Sequence, residues 1–195
     1  MHYINKKAFT LVELIVVVTI VGILSVVGIV AYSSYLVGAR DVNRIATMTQ
    51  AVETFQKYAT TKKLPIPDSA ITLTMSGGTV GFQGKIGPNV LETIGLEDDM
   101  RDPKDNTLYS YLLGENRKVF QFVAFMEKKE NLISFAPTAL ANNENRYPRT
   151  FGTGLGIITQ SKTLIPLEDL PLGSDTLNLE DFGNSYELTS FVSQD

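Results

Sequence analysis

The nineteen residues from Leu14 to Tyr32, LIVVVTIVGILSVVGIVAY, hold no charged side chain. As a helix they rise about 28 Å, close to the thickness of a bilayer's hydrocarbon core. A helix that is apolar all round cannot be one face of a soluble domain. It needs lipid, or other helices, on every side. Lys6 and Lys7 precede the run, and basic residues hold their end of a spanning helix on the cytoplasmic side. A secretory signal peptide would have a shorter apolar stretch followed by a small-residue cleavage site. No such A-x-A pattern follows Tyr32.

Glu13 stands directly before the run. A carboxylate in lipid costs about 2–3 kcal/mol even on lenient insertion scales. A plain single-pass anchor leaves it unexplained unless it reaches the interface. The sharper reading gives it a cationic partner that arises only on processing or assembly, such as a new α-amino group at Phe9. In apolar surroundings such a pair fixes register more than it adds stability.

The segment KKAFTLVELIVVVTIVGILSVVGIVAY resembles the N-terminal signature of type IV pilins and type II secretion pseudopilins. The resemblance covers roughly residues 6–35: a basic leader, a small residue before Phe, Thr-Leu, a Glu, then the apolar helix. It implies cleavage between Ala8 and Phe9 by a prepilin peptidase, N-methylation of Phe9, and neutralisation of a neighbouring subunit's amine by Glu13. It also implies insertion in the inner membrane with the N-terminus inside, then a periplasmic or extracellular filament. The expected partners are copies of the chain, other pilins, the peptidase, the inner-membrane assembly platform and, before assembly, lipid. Two positions depart from the common pattern. Ala8 replaces the usual Gly, and Val30 stands where many pilins have the proline that breaks the helix. Gly22 and Gly28 remain as weak points of about 1 kcal/mol each relative to Ala.

Beyond Tyr32 the helical pattern persists. Val42, Ile45, Met48, Val52, Phe55 and Ala59 recur at spacings of three and four, while Arg40, Asp41, Arg44, Gln50, Glu53 and Lys57 lie mostly off that stripe. One helix from about Phe9 to Ala59 is expected, stopped by Lys62, Lys63 and Pro65. A strand is expected at Ala70–Thr74, a glycine-rich loop region through Gly77, Gly78, Gly81, Gly84 and Gly87, and a short helix at Asn89–Leu96. Asp102-Pro103 with Asp105-Asn106 reads as a turn into a strand carrying Tyr109 and Tyr111 on one face, and Asp-Pro before Tyr-x-Tyr also resembles pilin-like and pseudopilin domains. Leu108–Leu113 and Val119–Met126 read as a hairpin. Further strands are expected at Leu132–Phe135 and Leu155–Thr159. The tail from Thr163 is expected to be irregular or to cover the sheet edge.

The expected fold is therefore α+β and pilin-like, a long N-terminal helix on an antiparallel sheet. Its parts are a leader (1–8), an apolar helix (9–35), an amphipathic continuation (36–62) and a globular domain (63–195). The net charge of −4 falls to −6 once Lys6 and Lys7 leave with the leader, which disfavours a nucleic-acid partner. The chain has no cysteine, and its one histidine, His2, lies in the leader. Neither a Ser-His-Asp nor a Cys-His constellation can form in the processed chain, so no enzymatic activity is expected. The glycines form no phosphate-binding loop. Some pseudopilins hold calcium in a C-terminal acidic loop, for which Glu168, Asp169, Asp175, Glu180 and Asp181 would serve here. Their spacing does not match an EF-hand, so a solvated acidic surface is preferred and no cofactor is expected. A pilus subunit is the leading reading, a secretion pseudopilin the alternative, and a membrane-anchored binding domain the more distant one.

Overall fold

A computed structural model describes residues 10–96, 100–128, 146–160, 167, 175–181 and 186–189. The chain divides into two units, Met1–Ala39 and Arg40–Asp195. Helix α1, Leu11–Thr61, supplies the described part of the first unit and the opening element of the second. It runs unbroken through Gly22, Gly28 and Val30. Every residue from Thr10 to Tyr35 is exposed, so this half finds no cover within its own unit. Thr19 and Ser25, two hydroxyl side chains inside the apolar run, are satisfied locally. Thr19 Oγ1 donates to the Ile15 carbonyl at 2.8 Å and Ser25 Oγ to that of Val21 at 2.7 Å, bonds that need no water.

The second unit is a mixed α+β domain. Strands β1 (Asp68–Met75), β2 (Gly78–Lys85), β3 (Ser110–Gly114), β4 (Phe120–Met126), β5 (Tyr147–Gly152) and β7 (Thr176–Asn178) form one sheet in the order β5-β4-β3-β2-β1-β7. All pairs are antiparallel except β1 with β7. Helix α2, Pro88–Ile94, matches the expected short helix and ends on Gly95 in the left-handed region at φ 80°. The expected hairpin is present as β3 and β4. The expected strand at Leu132–Phe135 lies outside the described residues.

One expectation needs correction, and the second of the two forms expected for the tail is present. The glycine-rich stretch contains a strand, β2, rather than loop alone. A side chain at Gly81 would meet the Leu113 carbonyl oxygen at 2.7 Å, and one at Gly84 the Asp68 carbonyl oxygen at 2.5 Å. These glycines let neighbouring backbones come close within the sheet. The tail also adds structure. β7 extends the sheet edge beyond β1, and β6 (Ile157–Gln160) pairs with β8 (Tyr186–Thr189) in a separate two-stranded sheet. The strand expected at Leu155–Thr159 is thus present in a second sheet.

Both faces of the main sheet are covered. On one, Phe55 of α1 meets Phe122 edge-on at 4.7 Å between centroids and Tyr111 at 5.4 Å, with Met48, Ala51, Leu113 and Met126 around them. Tyr109 and Tyr111 share this face, as expected. On the other, Ile71, Leu73 and Leu112 pack with Ile158, Leu167 and Leu177. Two buried glutamines fasten that layer. Gln83 receives the Ile158 N–H at 2.9 Å and donates to the carbonyls of Ile158 and Leu167. Gln121 Oε1 receives the N–H groups of Leu155 and Gly156. Each amide stands in for a missing strand partner.

The last turn of α1 holds no basic residue. Carbonyls at and just beyond its end are met from the β3–β4 turn instead. Lys118 Nζ donates to the carbonyls of Ala59 and Lys62, and Arg117 Nε to that of Leu64 at 2.7 Å. Lys118→Ala is expected to lower stability by about 0.5–1 kcal/mol, since a cation at a helix C-terminus is worth that order. A shift in denaturant midpoint at unchanged slope would show it. No shift would mean that Lys62 and Lys63 suffice.

Candidate functional site: the N-terminal motif and the neck of the helix

Thr10 and Glu13 open α1 as a reciprocal cap. Glu13 Oε2 accepts the Thr10 backbone N–H at 2.8 Å and its hydroxyl at 2.7 Å, while Thr10 Oγ1 accepts the Glu13 N–H at 3.3 Å. This is the T-x-x-E capping box, which satisfies donors that a helix start leaves open. The sequence reading missed it, although Thr-x-x-Glu before an apolar run is its signature. Glu13 therefore has a local role in the uncut chain and does not stand without a partner before processing. Ala8 and Phe9 lie outside the described residues. Directly after the cap, α1 is long and apolar enough to cross a membrane, and its most apolar window, of mean hydropathy 3.0, has no buried residue.

The prokaryotic N-terminal methylation motif matches residues 4–29. The chain carries the prepilin-type N-terminus of type IV pilins and pseudopilins. A motif of this kind marks a prepilin for peptidase processing and for assembly with other pilins, and with the apolar helix it accords with membrane anchoring. No curated protein and no solved structure matches the chain.

A second constellation of this prepilin-type chain lies where α1 enters the folded domain. The expected helix stripe holds from Ile45 to Ala59 and fails only at its start. Val42 is 64% exposed, whereas Asp41 and Arg44 are fully buried with Met48, Ala51 and Phe55. The residues read as lying off the stripe open it. Arg44 Nε and Nη2 grip both oxygens of Asp102 at 2.8 Å, and Nη1 donates to Asp41 at 2.7 Å and to Glu127 at 2.8 Å. Arg40 makes its own two-pronged pair with Glu127 at 2.8 and 2.7 Å. Asp41 also accepts the backbone N–H groups of Glu127 and Lys128 at 2.9 and 2.8 Å. Arg146 flanks the cluster, 3.8 Å from Asp102 and 2.8 Å from Asp105.

Burial opposes the charge of Arg44, but the hydrogen bonds to Asp102, Glu127 and Asp41 outweigh it and hold the guanidinium ionised. Arg40, against the opposing pull of burial, and then Arg44 bring the Glu127 carboxyl down to about 2. A carboxyl lowered in the folded state adds stability above its unfolded value of about 4.3, and that stability is lost as pH falls towards 2. Acid unfolding of Glu127→Gln should accordingly be less steep between pH 4.5 and 2 than that of the parent chain. Equal slopes would remove Glu127 from the acid response.

A groove of about 310 Å³ runs between α1 and the segment before Asp102, with Asn43, Thr47, Gln50 and Arg101 on its walls. Among the described residues that line it there is no carboxylate. No group of three or more histidine, cysteine or carboxylate side chains among the described residues is placed to hold a metal ion. Glu168 and Asp169 of the late acidic group lie outside those residues. Glu180 accepts the Ser76 N–H and hydroxyl at 2.9 and 2.8 Å, closing the β1–β2 turn.

Proposed function

We propose that the chain is a structural subunit of a type IV pilus-like filament, without catalytic activity of its own. The observation that carries this reading is the methylation motif leading into a helix whose apolar half is exposed all round. In this reading prepilin peptidase cuts between Ala8 and Phe9 and methylates the Phe9 amine. The chain waits in the inner membrane with its N-terminus inside, then exchanges lipid for the helices of its neighbours. Glu13 neutralises the amine of an adjacent subunit. The driving force is burial of apolar surface, at about 25 cal/mol per Å².

Mass spectrometry of the subunit isolated from membranes tests this directly. N-methyl-Phe9 at the terminus supports it; an intact Met1, or a terminus beyond Tyr32, overturns it. Ala8→Leu should leave uncut precursor in the membrane, because it removes the small residue that the motif places before the cut. Normal accumulation of the processed form would place the cut elsewhere.

A second reading, a pseudopilin of a type II secretion system, is favoured by the Asp102-Pro103 turn and the buried Tyr109 and Tyr111 that follow it. Deleting the gene separates the two. Loss of surface pili supports the first, and loss of protein secretion with pili retained supports the second.

A further inference from the structure

From Arg40 to Arg44 the side chains that α1 turns towards the folded domain are ionic: Arg40, Asp41 and Arg44. From Ile45 to Ala59 they are apolar, with Met48, Ala51 and Phe55 buried in the core and Ile45, Val52, Tyr58 and Ala59 packed against it. The helix is thus held by two different kinds of force along its length. The apolar part is non-directional and grows with area. The ionic part depends on geometry, because buried charges are stable only while each keeps its hydrogen-bonding partner.

Two distant segments meet the ionic turn. Asp102 comes from the loop between α2 and β3, and Glu127 follows the last residue of β4. The backbone N–H groups of Glu127 and Lys128, just past the final β4–β5 pair at Met126 and Tyr147, turn to the Asp41 carboxylate. All three carboxylates share one guanidinium, that of Arg44. Glu127 Oε1 is shared between Arg40 and Arg44, and Asp41 Oδ1 between Arg44 and the Glu127 N–H. Losing any one bond therefore weakens the rest.

We propose that this cluster is a latch, opening and closing as one unit while the apolar core beneath it stays folded, so that the first packed turn of α1 comes free of the end of β4 and of the Asp102 loop. The latch is a property of the folded domain and does not depend on the filament reading. Sub-global openings of this kind follow contiguous cooperative units and have their own free energies below that of global unfolding. Of the two parts of the helix, the ionic one is the separable unit, since wetting its charges restores solvation that the closed state removes.

The test is native-state hydrogen exchange on the full-length chain in detergent micelles, read at single amides by NMR. The amides of Glu127 and Lys128 should exchange at least tenfold faster than those of Phe122, Val123 and Ala124, and their rates should hardly change with low denaturant. Exchange merging with that of the β4 core amides would overturn the proposal, because the cluster would then be an ordinary part of the core. A second measurement guards against a variant that fails to fold. Glu127→Gln keeps the side-chain shape but removes one carboxylate from Arg44, and it leaves the Lys128 N–H acceptor, Asp41, in place. Exchange at Lys128 should rise at least threefold in this variant, with β3 amides unchanged. An unchanged Lys128 rate would show that the carboxylates are not coupled through Arg44, and would also overturn the latch.

Discussion

Arg44→Ala is expected to lower the stability of the folded domain by about 3–5 kcal/mol, the cost of removing one member of a buried ionic cluster. An exposed ion pair contributes only about 0–1 kcal/mol. The larger figure applies because Arg44 and Asp41 are fully buried and Asp102 is nearly so. Without the guanidinium, three carboxylates face one another out of water, with Arg40 and Arg146 left at the margin. For a domain of this size the loss corresponds to a melting-temperature drop of roughly 6–20 °C, measurable by thermal unfolding followed through the tyrosines. The sign of the compensating variant is as informative as the loss. Arg44→Met combined with Asp41→Asn, Asp102→Asn and Glu127→Gln should recover much of it, since a neutral cluster has no uncompensated charge to keep dry. A single-variant loss below about 1 kcal/mol would mean that water reaches the cluster and that it behaves as a surface pair.

That cluster is also where the sequence was hardest to read. The apolar run from Leu14 to Tyr32 announces a helix by composition alone, and the spacing of Met48 and Phe55 carries it on to about Ala59, two residues short of its end at Thr61. The β3–β4 hairpin and the short α2 followed from alternation and from their flanking turns. Charged residues on a helix usually mark its wet face, so Asp41 and Arg44 point the wrong way and Val42 falls on the expected inner stripe. Their partners, Asp102 and Glu127, lie 58 and 83 residues from Arg44, and no local pattern joins residues that far apart. The i,i+3 Asp-Arg pair was the one available hint. Glycines misled for a related reason. In β2 they answer to the approach of other strands, a tertiary demand that local turn statistics do not contain. The second layer depends on single amide side chains, Gln83 and Gln121, fastening a segment with little periodicity of its own. At the N-terminus the motif is legible in full, whereas the Thr10–Glu13 cap hides behind the charge of Glu13, which stands out before its place three residues into a helix start.

The cap divides two roles of Glu13 that a single alanine would confuse. Glutamine at the third helical position still accepts the Thr10 N–H, so Glu13→Gln should keep the start of α1 while removing its charge. On the filament reading, the charge is what meets a neighbour's methylated Phe9 amine in surroundings made apolar by residues such as Leu14 and Ile15. An amine left unpaired there carries the penalty of a buried lone charge. On the same reading processing and methylation should proceed, because the cut it places between Ala8 and Phe9 lies away from the carboxylate. Assembled subunit in sheared filament fractions should fall by about tenfold or more, a factor equal to only about 1.4 kcal/mol and well within the cost of a broken buried pair. Glu13→Ala should fall at least as far, having lost the cap as well. Filaments at parental levels from Glu13→Gln, with loss confined to Glu13→Ala, would assign the residue to helix capping and remove the amine from its role. A processed subunit that accumulates in the membrane in both variants would place the step that needs the charge after cleavage, at the moment the helix leaves lipid for its neighbours.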